Sequence, residues 1–215
     1  MSGASNHPGR GRARMHLVPP EGAPEHSDAD LVRAVRERSP LGAVRVWERY
    51  SALVRRLLRR SLGPSVAVED AVQEVFLRLF RDIESLRDPT VLRSFLIGIT
   101  LHVATSELRR RRARRWLLLS DAGTLPDFEA VTDECRLLER EALRRLYRLL
   151  DRVDSKRRLL FVLRNVEGLE LAEMSAILGC SLATTKRRVA DAALRVCPLA
   201  AADPVLSPYL TRKTR

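Results

Sequence analysis

The side chains with the clearest chemistry in this sequence are arginines. Six of them fall within the seven positions 109–115, at the end of the stretch 92–115, whose first half is apolar on nearly every side. Cations are tolerated at the C-terminal end of a helix, and a run of them becomes favourable when a phosphate backbone lies alongside. The run therefore indicates binding to nucleic acid, and a solvated run of charge is the alternative.

A second cationic segment lies at residues 169–189, LELAEMSAILGCSLATTKRRV. Gly179 breaks a first short helix and Ser181 is a suitable N-cap for the next. The first helix has an apolar face formed by Leu171, Met174, Ile177 and Leu178. In the second, the spacing predicts that Leu182, Val189 and Ala193 point inward and that Thr184, Arg187, Arg188, Asp191 and Arg195 point outward. This pattern predicts a helix-turn-helix that reads a major groove.

A third pattern, at residues 68–83, indicates a protein-docking helix. One face at helical spacing is apolar and consists of Val68, Val72, Val75, Phe76, Leu79 and Ile83. The opposite face carries Asp70, Gln73, Glu74 and Arg78, with Leu77 among them. An apolar centre with a polar rim is typical of a protein interface, whereas an isolated exposed leucine is the alternative interpretation.

No constellation for catalysis or metal binding is visible. Glu69 and Asp70 are adjacent and so point to different sides of their helix. The three cysteines, Cys135, Cys180 and Cys197, are widely spaced and form no Cys/His cluster, so we expect buried free thiols. The sequence predicts no enzyme, no metal site and no cofactor.

The composition limits the fold and the partners. Strong helix formers dominate the 215 residues and only 5% are aromatic, which predicts an all-α protein without a sheet. The net charge of +12 favours a polyanionic partner, unless the source has arginine-rich proteins generally. No uninterrupted apolar run, such as Leu159–Leu163, approaches the length of a membrane span, and the N-terminus lacks an apolar signal core. We expect a cytoplasmic protein with no membrane insertion.

Composition shifts divide the chain into five parts. Residues 1–27 are rich in Gly, Pro and Arg and are expected to form a disordered basic tail. Helical domains are predicted over residues 28–115 and 137–198, joined by a flexible acidic linker over 116–136. Residues 199–215 are expected to be a C-terminal tail that frays after Pro198.

The three motifs together resemble a bacterial RNA polymerase sigma factor of the extracytoplasmic-function (ECF) group. VEDAVQEVFLRLFR is similar to the region-two helix that binds the polymerase clamp, often D-x-x-Q-E-x-F. SFLIGITLHVATSELRRRRARR resembles WLxxIARNxAxDxLRRRRR, which handles the minus-ten element. LRNVEGLELAEMSAILGCSLATTKRRV resembles the region-four pattern that reads the minus-thirty-five element. The resemblance implies that residues 28–115 are region two and 137–198 region four.

The resemblance also implies roles for individual residues. The set expected to bind the polymerase core is Asp70, Gln73, Glu74, Leu77 and Arg78. The set expected at the minus-ten region is Arg87, Asp88, Thr90, His102, Ser106, Arg109, Arg110 and Arg112. The set expected at the minus-thirty-five region is Ser181, Thr184, Lys186, Arg187 and Arg188. The implied partners are polymerase core, promoter DNA and an anti-sigma factor.

Four positions depart from the family pattern. Phe95 replaces the usual Trp and Thr185 the usual Val, changes that we expect to affect only packing. His102 replaces Asn and Ser106 replaces Asp, which puts the usual minus-ten preference in question. His102 could also be a core histidine.

Two other functional classes stay open at this point. A helix-turn-helix regulator that never binds polymerase core explains the pattern at residues 169–189, but neither the face around Leu77 nor the apolar helix that ends in arginine. An enzyme acting on nucleic acid would need paired carboxylates or metal ligands in a cleft.

Overall fold

A computed structural model describes residues 26–63, 68–117 and 134–210, with side chains up to residue 114 and again from residue 139. Within these ranges the chain is helical and contains no β-strand. The predicted all-α class is therefore confirmed.

The first block of helices starts where the Ser27-Asp28 cap predicts. Ser27 and Asp30 form a capping box at the start of α1, which satisfies backbone donors at the N-terminus of that helix. The block consists of α1 (Asp28–Arg36), α2 (Pro40–Leu62), α3 (Val68–Asp82) and α4 (Leu92–Leu117), with 3-10 turns at Ile83–Ser85 and Pro89–Val91.

Helix α4 lies at the centre of the first block and packs against α1, α2 and α3. Leu92, Leu96 and Ile97 are almost completely buried, as expected for a helix that is apolar on nearly every side. By length and composition alone, the stretch 89–114 is long and apolar enough to cross a membrane. The expectation of no membrane span rests on the length of uninterrupted apolar runs, and polar residues interrupt this stretch. Burial of its first half in the block accounts for its composition as that of a core helix.

The second block contains α5 (Glu134–Leu150), α6 (Ser155–Phe161), a π turn (Val162–Val166), α7 (Leu171–Leu178), α8 (Leu182–Ala201) and α9 (Ser207–Leu210). Here the C-terminus differs from the expected frayed tail. Helix α8 continues through Pro198, and Leu206 beyond it is buried. Asp203 accepts hydrogen bonds from the amides of Val205 and Leu206 and pairs with Arg145. Tertiary packing outweighs the single backbone donor that proline removes.

The two blocks meet at the C-terminal end of α2. Arg158, which is 2% exposed, donates from Nε to the carbonyl of Ser61 at 2.8 Å and pairs with Asp151 at 2.5 Å. Burial lowers the pKa of the Arg158 guanidinium, and the charge of Asp151 opposes that shift. The last carbonyls of a helix lack intrahelical partners, and the second block supplies a donor for one of them.

A buried acid completes this junction. The Glu167 side chain is 4% exposed and accepts from Arg60 at 2.9 Å and from Arg56 at 3.2 Å, both on α2. Arg93 on α4 also pairs with Glu173 on α7. A buried carboxylate needs such partners, because an unpaired buried charge is costly. Polar contacts therefore hold the second block against the first.

Candidate nucleic-acid and protein interfaces

Helix α3 presents the two faces that its sequence predicts. The apolar face is buried along its whole length, from Val68 to Ile83. On the opposite side Leu77 is 66% exposed, and Asp70 and Gln73 are exposed beside it. The remaining two residues of the predicted core-binding set, Glu74 and Arg78, are half-buried and pair with each other at 2.6 Å. The structure thus brings all five onto one helix, around an exposed leucine.

Exposed apolar side chains also lie on α2, which packs against α3, and they were not predicted from the sequence. The Trp47 ring packs on Phe76 with 4.6 Å between centroids, yet the residue stays 38% exposed. Leu41 and Val44 are exposed at three-residue spacing before it. We call Leu41, Val44, Trp47 and Leu77 the α2–α3 apolar patch. An apolar i, i+3, i+6 series opposite the buried stripe of α2 is the signal that could have revealed it.

The segment between α3 and α4 forms a short exposed loop. Asp88 accepts hydrogen bonds from the Thr90 hydroxyl at 2.6 Å and from the Thr90 amide at 2.9 Å. These two bonds lower the pKa of the Asp88 carboxyl. Arg87 is exposed and forms no ion pair with the residues that the structure describes. The three predicted loop residues therefore lie together, and two of them are already bonded to each other.

The predicted contacts on α4 all reach solvent. The exposed set is His102, Ser106, Arg109, Arg110 and Arg112. The alternative of a core histidine at position 102 is therefore wrong. Glu107 pairs with Arg111 at 2.9 Å and with Arg110 at 3.3 Å, so part of the positive charge of the run is neutralised within the helix.

Helices α7 and α8 form the predicted helix-turn-helix. Gly179 ends α7 in the left-handed region, with φ of 60°, a conformation that costs glycine little. The Ser181 hydroxyl then caps α8, accepting from the Thr184 amide at 3.3 Å and donating to the Thr184 hydroxyl at 2.9 Å. Thr185, at the family's valine position, is fully buried and donates to the Ser181 carbonyl at 3.1 Å. The polar substitution is satisfied within the helix.

The inward face of α8 differs in part from the prediction. Leu182 is 53% exposed rather than buried, because α8 meets the core through a stripe that starts at Thr185. That stripe is Thr185, Val189, Ala192, Val196 and Ala200. Of the residues predicted to point outward, Arg187, Arg188, Asp191 and Arg195 are exposed, whereas Thr184 is half-buried. Lys186 is exposed as well. Among the described residues Lys186, Arg187 and Arg188 have no ion-pair partner, and Arg188 Nη1 lies 3.7 Å from Cys180 Sγ.

Cys180 and Cys197 are free and only partly buried, so the expectation of buried thiols is too strong for these two. The side chain of Cys135 lies outside the described residues. In the described ranges, no group of three or more His, Cys, Asp or Glu side chains could hold a metal ion.

A cavity of about 590 Å³ separates α4 from the second block. His102 and Arg109 of the predicted minus-ten set line one side, and Arg188 of the predicted minus-thirty-five set lines the other. Leucines form much of the remaining wall, and Asp191 at the rim pairs with Arg157 at 2.7 Å. The structure therefore brings residues of two predicted DNA-binding sets to the same cavity.

Family comparisons match both blocks. Residues 46–114 match Sigma-70 region 2, and residues 143–196 match Sigma-70, region 4. The chain is 33% identical over 137 residues to the ferric citrate uptake sigma factor FecI of Escherichia coli K12, covering 63% of this chain and 77% of that protein. It is 28% identical over 170 residues to the ECF RNA polymerase sigma-E factor of the same organism, covering 76% and 88%.

Among solved structures, CnrH in complex with the cytosolic domain of CnrY has the same fold. The TM-score is 0.57 at 21% sequence identity, covering 82% of this chain and 98% of that one.

The two region matches follow one another in the order that the sequence motifs predict, and the helix-turn-helix forms the second of them. Sigma factors are non-enzymatic initiation factors that bind RNA polymerase core and direct it to promoters. A regulator that never binds the core is excluded by the match to region 2. The chain belongs to the ECF group of sigma-70 factors.

Proposed function

We propose that this sigma factor divides its work among three surfaces: α3 for polymerase core, the loop and α4 for the minus-ten element, and α8 for the minus-thirty-five element. One observation carries the proposal, which is the opposite chemistry of these exposed faces. The face of α3 is acidic and apolar around Leu77, whereas α8 exposes Lys186, Arg187 and Arg188. Protein and DNA ligands call for this difference.

The docking surface on α3 is built as a small hot spot. Leu77 supplies an apolar anchor, and Asp70 and Gln73 supply the polar rim around it. The Glu74–Arg78 pair lies along the same helix and holds both side chains in place. The α2–α3 apolar patch extends the surface toward Trp47, so we include α2 in the footprint of polymerase.

The minus-ten surface combines base capture with phosphate binding. Flipping a base out of a stack costs a few kcal/mol, and a fitted pocket offsets that cost. Asp88 and Thr90 offer acceptor and donor groups for an unstacked base, and Arg109 and Arg112 on α4 offer cations for its backbone. His102 and Ser106 are exposed between them, so they set a preference of their own.

On the minus-thirty-five surface, different residues recognise bases and bind phosphates. Arginine near the centre of a recognition helix suits a guanine edge, because its fork makes two hydrogen bonds. Lysine on the flank suits a phosphate, because it is a flexible point charge. We assign base reading to Arg187 and Arg188 and phosphate binding to Lys186. Ser181 caps α8 through the amide of Thr184, and we assign both residues to the DNA contact at the N-terminus of this helix.

Promoter binding requires the two blocks to separate. The names of the two elements place them about 25 base pairs apart, roughly 80 Å at about 3.4 Å per base pair. His102 and Arg188 line one cavity and cannot reach both elements in this arrangement. We propose that residues 28–115 and 137–198 act as two domains, that the acidic segment 116–136 links them, and that residues 1–27 are a basic tail. The described residues after 198 belong to the second domain, since α8 continues to Ala201 and Leu206 is buried.

We also propose a cytoplasmic location, no membrane insertion, no catalytic role and regulation by an anti-sigma factor. Support for the last comes from CnrH, which is similar in fold and was solved with the cytosolic domain of CnrY. An anti-sigma partner would act by keeping the blocks together or by covering α3.

The test is run-off transcription with polymerase core on genomic fragments, preceded by a pull-down of core. Wild-type protein is expected to retain core and to yield discrete transcripts with a shared upstream sequence. A chain that binds DNA but neither retains core nor supports transcripts would overturn the assignment of surfaces. Lys186→Ala serves as the matched variant, since it should keep core binding and lower transcript yield.

A further inference from the structure

We propose that Arg36, the last residue of α1, is a positioning residue for the loop Arg87–Val91. This inference rests on the proposed role of that loop in capturing a base. Arg36 donates from Nη2 to the Ile83 carbonyl at 3.1 Å and also to the Leu86 carbonyl. Leu86 directly precedes the loop, so this side chain fixes the point at which the loop leaves the core.

The loop is held at three places. Arg36 anchors its first end, and Leu92, with no exposed surface, anchors its far end in the core. Between them, Asp88 bonds to the amide and hydroxyl of Thr90. Of these, only Arg36 comes from outside the segment 83–92, since it lies 47 and 50 residues before its two acceptors. It therefore ties the loop to a different helix.

The environment of Arg36 suits a positioning role better than a purely electrostatic one. Both hydrogen bonds come from Nη2, whose two N–H groups are fixed in the plane of the guanidinium, whereas the N–H groups of a lysine ammonium rotate freely. The Nε atom is buried and has no acceptor within hydrogen-bond distance, because Glu84 Oε2 lies 3.7 Å away. Leaving a buried donor unsatisfied is unfavourable. Among the described residues, the Ile83 and Leu86 carbonyls, and not Glu84, are therefore the hydrogen-bond acceptors of this side chain.

The end of α1 is itself fixed by close packing on α2. A Cβ at Gly42 would lie 2.8 Å from the Ala34 carbonyl carbon and 2.9 Å from the Val35 nitrogen. No side chain fits at that position, so the backbones of α1 and α2 approach each other directly. This close approach lies within two residues of Arg36. The path of restraint therefore runs from α2 through the end of α1 to the loop.

Arg33 offers a matched comparison on the same helix. Its side chain is 67% exposed and, among the described residues, it pairs only with Asp30, three residues before it. Arg33→Ala removes the same charge from the same helix without touching the loop. Any effect of net charge on DNA binding would be shared by Arg33 and Arg36, whereas an effect of loop position would be specific to Arg36.

The experiment uses the full chain with polymerase core and a promoter library randomised at the minus-ten element. Arg36→Ala, Arg36→Lys and Arg33→Ala are compared with Thr90→Ala, which alters the loop itself. Three quantities are measured for each: hydrogen exchange of the amides of residues 86–88, 90 and 91, the selected minus-ten sequence, and affinity for core.

We expect Arg36→Ala to accelerate exchange of these amides about tenfold, the effect of losing about one net charged hydrogen bond. The selected minus-ten sequence should broaden, while affinity for core stays within about twofold, since α3 is untouched. Arg36→Lys should fall between wild type and Arg36→Ala, because it keeps the charge but loses the planar group that fixes the two donors of Nη2. It also keeps the inference testable if the alanine variant unfolds.

Two failures can be told apart. If Thr90→Ala alters the selected sequence but neither Arg36 variant does, the positioning role of Arg36 is wrong and the loop keeps its function. If Thr90→Ala and the Arg36 variants all leave the sequence unchanged, the loop does not read a base, and both proposals fall. An equal effect of Arg33→Ala and Arg36→Ala would assign the effect to charge and overturn the inference.

Discussion

Helices α3 and α8 each bury an apolar stripe and expose a functional face, yet the two faces differ in kind. On α3 the exposed centre is Leu77, ringed by acids and an amide. On α8 the exposed centre is cationic, with Arg187 and Arg188 side by side. Apolar burial drives protein association and depends little on salt, whereas phosphate binding releases counterions and depends on it strongly. The difference predicts two interfaces that respond differently to salt and to substitution.

The largest effect is expected on the apolar face. Leu77→Arg should weaken core binding about thirtyfold to a hundredfold, because truncating or charging an interface anchor costs about 2 kcal/mol or more. Helical content should stay unchanged, since Leu77 is exposed. Core affinity by fluorescence and circular dichroism are the measurements. Leu194→Arg, at an equally exposed leucine of α8, is the control and should leave core affinity intact; equal losses for both would mean that added charge, not the face of α3, is responsible.

The next effect concerns salt dependence. Replacing Arg109, Arg110 and Arg112 with alanine should flatten the log-log salt dependence of promoter binding by about one unit for each phosphate that is no longer neutralised. Because Glu107 already pairs with Arg110, we expect a drop nearer two units than three. Titrations at several salt concentrations give the slope. Promoter binding that keeps the wild-type slope would show that these side chains face only water.

The sequence alone predicts those features of α3 and α8 that depend on residues close together in the chain. The apolar period of α3, the Gly179 turn and the Ser181 cap are local, and each is confirmed. The face around Leu77 follows from the same period. Arg36 and Glu167 could not be found in this way because their partners are 47 to 111 residues away in sequence, and no local pattern encodes such pairings.

Two local expectations also give way to tertiary packing. Leu182 is expected on the inner side of α8, but the stripe that meets the core begins three residues later, at Thr185. The chain after Pro198 is expected to fray, but Leu206 is buried and keeps it folded. In both cases the type of residue is a weaker guide than its place in the assembled core.

A smaller effect separates the arginines of α8 from its lysine. Arg187→Ala or Arg188→Ala should relax the preference at one upstream base pair by about 1–3 kcal/mol. Lys186→Ala should instead weaken binding to all upstream sequences about equally, and so serves as the control. Selection from a randomised upstream element is the measurement. If neither arginine variant changes the selected sequence, all three side chains contact phosphates, and α8 holds DNA without reading it.

The last prediction, with the smallest expected effect, concerns the junction between the two blocks. It tests whether this junction restricts the DNA-binding face of α8 while leaving the core-binding face of α3 accessible. Arg188, although exposed, lines the cavity between α4 and the second block, whereas Leu77 lies outside that cavity. Glu167 holds the junction through Arg56 and Arg60. Glu167→Gln keeps the shape of the side chain but removes the charge that both arginines share, and should favour separated blocks by about 1 kcal/mol, or about fivefold.

Free Glu167→Gln protein should therefore bind an upstream duplex several-fold more tightly than wild type, while the affinity of α3 for core changes little. Glu173→Gln, which breaks the Arg93 pair at a more exposed site of the same junction, should act in the same direction but more weakly. Fluorescence anisotropy with the duplex and with core measures both affinities for each variant. If duplex affinity does not rise in either variant, the junction does not restrict α8. If core affinity rises in parallel, the junction restricts α3 as well as α8. The two faces would then differ in their chemistry but not in their accessibility to partners.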